Sequence, residues 1–160
     1  MAQDIFLKLT GITGESQDDK HTNEIEVLRW DWKINQQSSM HSGSGGGSGK
    51  ATVNDLIFDH YVDRASPNLL KYCLTGKHVD TAILVARKAG GSPLEYLAIT
   101  MGDVIITGVS PAATDSMDRV REQVSLSFAR VRQEYTIQNR LGGSGGTVSA
   151  AYDIRSNREL

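Results

Sequence analysis

Apolar and polar residues alternate along most of the chain, which is the pattern of β-strands with one buried face. Three alternate apolar residues share one face of the first predicted strand: Ile5, Leu7 and Leu9. Between residues 24 and 34 the apolar positions change from odd to even numbers. A shift by one residue is what a β-bulge produces, so we predict a bulge near Val27 and Leu28.

The same alternation predicts further strands downstream. They span residues 56–62, 82–86, 94–101, 104–109, 120–138 and 148–154, with a polar loop at 110–118. In the longest of these segments the apolar residues change face between Phe128 and Val131, which predicts a bend or a second bulge.

One segment has the features of a helix. Ser66 suits the N-cap, Pro67 suits the first helical position, and Gly76 suits the C-terminal stop. Four residues between them form an apolar stripe at helical spacing: Leu69, Leu70, Cys73 and Leu74. We therefore predict a mainly β protein, a small barrel or two packed sheets, with one short α-helix over about Pro67–Thr75.

Composition narrows the class of protein. A chain of 160 residues is sufficient for one domain. Its formal net charge of −2 gives no sign of a nucleic-acid partner. The single cysteine cannot form an internal disulfide, and no segment approaches the roughly 18 apolar residues of a membrane span. The first residues lack the basic start and long apolar run of a signal peptide, so we expect synthesis in the cytoplasm.

Two glycine-rich segments resemble catalytic motifs but lack required residues. A phosphate loop needs Gly-x4-Gly-Lys-Ser/Thr, whereas here Ser44 replaces the first glycine and Ala51 replaces the hydroxyl residue. The segment Gly142–Gly146 matches the nucleophile-elbow pattern, but that motif requires a helix after the serine. A strand is predicted there, so the segment is interpreted as a hairpin loop.

The remaining polar clusters favour structural roles. Asp59 and His60 should point to opposite faces of their strand, so they cannot share a metal ion, and we interpret them as polar groups on a solvated face. Five arginines lie near Glu122 and Glu134, which favours salt-bridged strand faces over polyanion binding: Arg119, Arg121, Arg130, Arg132 and Arg140. We predict neither a catalytic group nor a metal site.

A set of short segments spans nearly the whole chain in order: Ile5–Leu9, Gly14–Ser16, Glu24–Val27, Trp30–Trp32, Ser39–His41, the Gly/Ser run to Lys50, Val53–Leu56, Ala65–Leu69, Cys73, Gly76–His78, Arg87–Gly90, Leu94–Leu97, Phe128–Ala129, Tyr135 and Tyr152–Arg155. Together these segments resemble the haemolysin-coregulated protein (Hcp) family, which forms the inner tube of the bacterial type VI secretion system.

The resemblance implies a β-barrel with one flanking helix, similar to phage tail-tube proteins. It also implies a homohexameric ring that stacks into a hollow tube, with small effector proteins carried in the lumen. The implied partners are a spike protein at the tip, a contractile sheath and baseplate components, with no nucleic acid, no membrane insertion and no cofactor. Secretion would then need no cleaved signal peptide. The alternative is a β-barrel that binds a small ligand or acts as an enzyme.

Within this resemblance the glycine-rich segment at 39–50 corresponds to an extended loop between two strands. The residues before it are too few to fold alone, so it does not join two domains. Glycine permits backbone conformations that larger residues avoid, and we expect the loop to reach the next ring. The candidate ring-stacking residues are Ser39, Met40, His41, Gly43, Gly45, Gly46, Gly47, Gly49 and Lys50.

Overall fold

The computed structural model describes residues 3–38, 50–89 and 93–160, which form eleven strands and one helix. The strands are β1 Gln3–Leu9, β2 Ile25–Glu26, β3 Arg29–Asp31, β4 Ile34–Asn35, β5 Thr52–Val53, β6 Leu56–Tyr61, β7 His78–Lys88, β8 Leu94–Ala112, β9 Arg121–Gln138, β10 Ser144–Asp153 and β11 Arg158–Glu159. The helix, α1, spans Ser66–Thr75. The mainly β class with one short helix is therefore confirmed.

A nine-stranded antiparallel sheet forms the body of the protein. Its main path runs β11-β10-β9-β8-β7-β1-β2, and β6 joins it by pairing with both β9 and β3. The strands curl round one apolar core without closing into a continuous barrel. The second predicted sheet is only the two-stranded ribbon of β4 and β5.

The predicted bulge near Val27 is instead a change of strand partner. Up to Val27 the chain lies beside β1, since the Val27 amide donates to the Ile5 carbonyl at 2.9 Å. From Leu28 it lies beside β6, since the Leu28 amide donates to the Asp59 carbonyl at 2.8 Å. The apolar positions shift by one residue because the chain leaves one part of the sheet and joins another.

β8 is one strand of 19 residues, although two strands and a loop from residue 110 were predicted. Asp103 has a left-handed φ of 55°, which is uncommon inside a strand. Both neighbours nevertheless pair through this level, since Gly102 lies opposite Thr81 of β7 and Arg130 of β9. Pairing on both sides keeps the strand continuous.

The apolar shift in β9 does not mark a bulge in that strand, because its register with β8 is unbroken from Leu97 to Ile106. Instead, in three neighbouring strands at the same level, the side chains that contact the core switch from odd- to even-numbered residues or the reverse. The switch lies between Val79 and Ala82 in β7, between Val104 and Met101 in β8, and between Phe128 and Val131 in β9. Opposite faces of the sheet therefore contact the core above and below this level.

Helix α1 begins one residue earlier than predicted, with Ala65 at the N-cap and Pro67 in the first turn. Ser66 acts within the preceding turn, where its hydroxyl accepts the Asp63 amide at 3.1 Å. Gly76 ends the helix with a left-handed φ of 70°, as predicted.

The apolar stripe of α1 is only partly buried. Leu69 is completely buried and Cys73 packs against the core, whereas Leu70 is half exposed and Leu74 is 77% exposed. The burial is partial because a ten-residue helix lying beside β8 turns only a narrow side towards the core. In the described part of the chain, this helix is too short and too polar to cross a membrane.

We predict that Leu69→Ala lowers the free energy of unfolding by about 2–5 kcal/mol, since it deletes fully buried methyl groups. Leu74→Ala removes the same atoms from an exposed position of the same helix and should change it by less than about 0.5 kcal/mol. Urea unfolding followed by circular dichroism at one protein concentration measures both. Equal losses in the two variants would contradict this packing.

Candidate assembly surfaces

The glycine-rich loop is carried on the ribbon of β4 and β5. Ile34 pairs with Val53 and Asn35 pairs with Thr52, so the two ends of the loop leave the ribbon side by side. The base of the ribbon is held firmly, because the Asn54 amide donates to the Lys33 carbonyl at 3.0 Å. The ribbon with its loop is called the arm below.

Of the candidate stacking residues, Lys50 is described, and it is exposed two residues before β5. The others lie outside the described residues: Ser39, Met40, His41, Gly43, Gly45, Gly46, Gly47 and Gly49. Their part in stacking stays a prediction. The structure adds the ribbon that positions them, which the sequence reasoning missed although Ile34 and Val53 flank the loop.

A second projecting element is the hairpin of β9 and β10. β8 begins at Leu94 and pairs with β9 only as far as Tyr135, so the hairpin continues beyond its neighbour. Its turn is ordered by Asn139, whose side-chain carbonyl accepts the amides of Leu141 and Gly143, each at 2.9 Å. The segment at 142–146 is therefore a hairpin connection, as predicted, and β10 starts within it at Ser144.

One face of this hairpin exposes a group of apolar side chains. Tyr135 lies directly opposite Val148 in the register, and these side chains are 45% and 61% exposed. Ile137 lies two positions further along β9 on the same face and is 43% exposed. Tyr135, Ile137 and Val148 are called the hairpin face below. A contiguous exposed apolar group of this kind is typical of a contact surface.

The predicted arginine pairs formed in part. Arg132 pairs with Glu134 at 3.3 Å, as expected, whereas Arg121 pairs with Asp59 at 3.5 Å. The guanidinium of Arg119 lies 4.1 Å from the centre of the Tyr61 ring. These contacts are compatible with salt-bridged and stacked surface residues.

The interpretation of His60 as a polar group on a solvated face was wrong, and Glu122 is buried beside it. Both side chains are buried, and His60 Nε2 lies 2.9 Å from Glu122 Oε1. The signal was present in the sequence, since Glu122 shares strand parity with Val124 and Leu126. The rule that charged residues avoid the interior led to the error.

Polar contacts also hold the irregular segment between β1 and β2. The guanidinium of Arg87 binds Asp18 and Asp4, and its hydrogen bond to Asp18 holds the pKa of that carboxyl at about 2. The His21 ring stacks on Phe6 with centroids 4.3 Å apart and hydrogen-bonds Glu24 at 3.0 Å. These contacts fasten the segment to β1 and β7.

The C-terminal turn is fastened in a similar way. Asp103, at the left-handed position of β8, accepts hydrogen bonds from His78 and Arg155. The His78 and Arg155 contacts lower the pKa of Asp103 below its ordinary value. One carboxylate therefore ties β7, β8 and the turn after β10 together.

The space that the curled sheet encloses is filled by side chains. The largest that are completely buried are Leu7, Ile25, Leu56, Phe58, Leu69, Leu84, Ile99, Met101, Ile106 and Leu126. Among residues 3–38, 50–89 and 93–160, no three His, Cys, Asp or Glu side chains converge as metal ligands would. This packing gives the alternative of a ligand-binding barrel no support.

Comparisons with known proteins agree with this geometry. Residues 6–135 match the family model described as "Type VI secretion system effector, Hcp". The chain is 45% identical over 159 residues to the protein hcp1 of Pseudomonas aeruginosa, which covers 98% of each chain.

Two solved structures are similar over almost the whole chain. Hcp1 from Salmonella typhimurium is 55% identical with a TM-score of 0.85 and covers 100% of both chains. A type VI secretion system effector from Yersinia pestis is 44% identical with a TM-score of 0.78 and covers 94% of this chain and 99% of its own. With this fold and a family match over most of its length, the chain belongs to the Hcp family of type VI secretion proteins.

Proposed function

We propose that this chain is the structural subunit of a homohexameric ring, and that rings stack into the hollow tube of a type VI secretion system. The observation that carries the proposal is the exposed apolar hairpin face, which is separate from the ribbon that leads into the glycine-rich loop. A cyclic ring is built from heterologous contacts, so in the ring this face would meet a different surface of the neighbouring subunit. Stacking of rings needs a further contact along the tube axis.

The two elements suit different contacts. The hairpin face is short, apolar and fixed on paired strands, which favours a close contact that excludes water. The arm is rich in glycine and serine and has its base fixed by hydrogen bonds, which favours a reaching contact between rings. We therefore assign the hairpin face to the ring and the arm to the stack.

The proposed partners follow from membership of the family. A tube of this kind would meet a spike protein at its tip, a contractile sheath around it and a baseplate at its origin. Small effector proteins would occupy the lumen. The chain would then leave the cell as part of the tube without a cleaved signal peptide. In this role the subunit acts by assembly and needs no catalytic group or cofactor.

The purified protein is expected to have about six times the 17.4 kDa mass of the chain at micromolar concentration. Light scattering coupled to size-exclusion chromatography measures this mass, and electron micrographs should show rings with six-fold symmetry. A monomer under these conditions would falsify the ring proposal.

Val148→Asp should dissociate the ring, because it places a charge in the centre of the hairpin face. We expect a cost of at least about 1 kcal/mol for each contact, seen as a lower mass on dilution. Thr147→Asp is the matched control, since Thr147 is exposed on the opposite face of the same strand. If both variants retain the same hexamer at every dilution, the hairpin face is not the ring contact.

Deletion of residues 43–49 should leave the ring intact but weaken stacking and secretion. The fold should tolerate it because the ends of the loop are held together by β4 and β5. Micrographs of tube length and the amount of protein in the culture medium measure the two effects. Gly46→Ser keeps the loop length and serves as the control, and unchanged secretion by the deletion variant would contradict the role of the arm.

A further inference from the structure

His60 occupies a fully buried position between two carboxylates. It lies on β6 directly opposite Glu122 of β9, and its Nε2 is 2.9 Å from Glu122 Oε1. Its Nδ1 is buried without a hydrogen-bond partner among the described residues. The facing acceptor is Asp63 Oδ1, at 3.8 Å, in the turn after β6.

The geometry suits the charged form of the imidazole. A neutral imidazole has one N–H and one lone pair, so it can donate to only one of the two carboxylates. The other carboxylate would then face a lone pair in a buried place, which is unfavourable for a charged group. The protonated ring presents an N–H to each acid. One donates to Glu122 at 2.9 Å, and the other faces Asp63 at 3.8 Å, where the attraction of opposite charges acts rather than a hydrogen bond.

The other charged groups near this site do not take the place of the His60 proton as a partner of Glu122 and Asp63. Arg29 of β3 and Arg121 of β9 both reach Asp59, which points to the opposite face of β6, at 3.5 Å. The cleft beside Asp63 carries two further carboxylates, Glu15 and Glu26, and one cation, Arg119. The Arg119 guanidinium stacks on Tyr61. The groups that act directly on His60 are thus two acids.

Burial opposes a charge on His60, but the hydrogen bond to Glu122 and the attraction of Asp63 and Glu122 outweigh it. The net effect raises the pKa of His60 above its ordinary value of 6.5. A raised pKa in the folded state means that folding favours proton uptake at this ring.

Asp63 links this proton to the start of the helix. Its Oδ1 accepts the Ala65 amide at 2.9 Å, and its own amide donates to the Ser66 hydroxyl at 3.1 Å. The Ser66 amide in turn donates to the Asp63 carbonyl at 3.0 Å. The position of Asp63 therefore determines the turn that leads from β6 into α1.

We propose that His60, Glu122 and Asp63 form a proton-operated latch that joins β6, β9 and the start of α1. With the proton present, both carboxylates are held and the turn is fixed. When the proton leaves, Asp63 loses the positive charge that faces it, and the start of α1 loosens. The latch belongs to the single subunit and does not rest on the proposed assembly.

The direction of the pH effect follows from the raised pKa. The stabilisation is fully present below the unfolded-state pKa of 6.5 and is lost as the pH rises through the folded-state pKa. The equilibrium constant for unfolding should therefore increase with pH above 6.5, by at most about tenfold for each pH unit from this one proton.

Urea unfolding between pH 6 and pH 9, at one protein concentration, tests the proposal. Wild-type protein should lose stability across this range, and His60→Gln should lose most of the dependence on pH. His78→Gln is the matched control, because His78 also contacts a carboxylate, Asp103, but is exposed. A pH dependence in His60→Gln as steep as that of the wild type overturns the latch.

A second measurement needs no variant and stays decisive if His60→Gln fails to fold. Titration of the histidine rings of the intact protein by NMR should give a pKa above 6.5 for the His60 ring. Hydrogen exchange at the amides of Ala65 and Leu69 should accelerate as that ring loses its proton, beyond the ordinary increase with pH seen at the Leu84 amide. A pKa at or below 6.5, or equal acceleration at these amides, overturns the proposal.

Discussion

The pairing of β9 with three other strands is the constraint on which the rest of the structure depends. One edge of β9 pairs with β8 along almost its whole length. The other edge is divided, with residues 121–126 pairing with β6 and residues 130–138 pairing with β10. Because two strands share one edge, the sheet divides there, curls round the core and leaves the hairpin free to project.

Side-chain polar contacts hold the pieces that regular pairing does not reach. Arg87 and His21 fasten the irregular segment before β2, and Asp103 fastens the C-terminal turn. The pair of His60 and Glu122 lies where β6 meets the divided edge of β9. Both side chains are buried, so each needs the other as a hydrogen-bond partner, and the pair therefore specifies which residues of β6 and β9 meet at this junction.

The same division of the edge separates the end of the hairpin from the core. The core is formed mainly by the strands β1, β6, β7, β8 and the first half of β9, with Leu69 contributed by α1. The hairpin continues past the end of β8, so its exposed face can change without altering the packing of the core. In the function proposed above, contacts between copies at this face would weaken or strengthen without unfolding the subunit.

The sequence alone determined the strand alternation, the helix stop at Gly76 and the family resemblance, because these depend on residues that are close in the chain. It did not reveal that the shift at Val27 is a change of partner, that β8 is continuous through Asp103, or that His60 and Glu122 are buried together. The alternation of apolar and polar residues shows which residues share a face of a strand, but it does not show which other strand pairs with that strand. Only the tertiary structure decided these features, because they depend on pairing between residues distant in sequence.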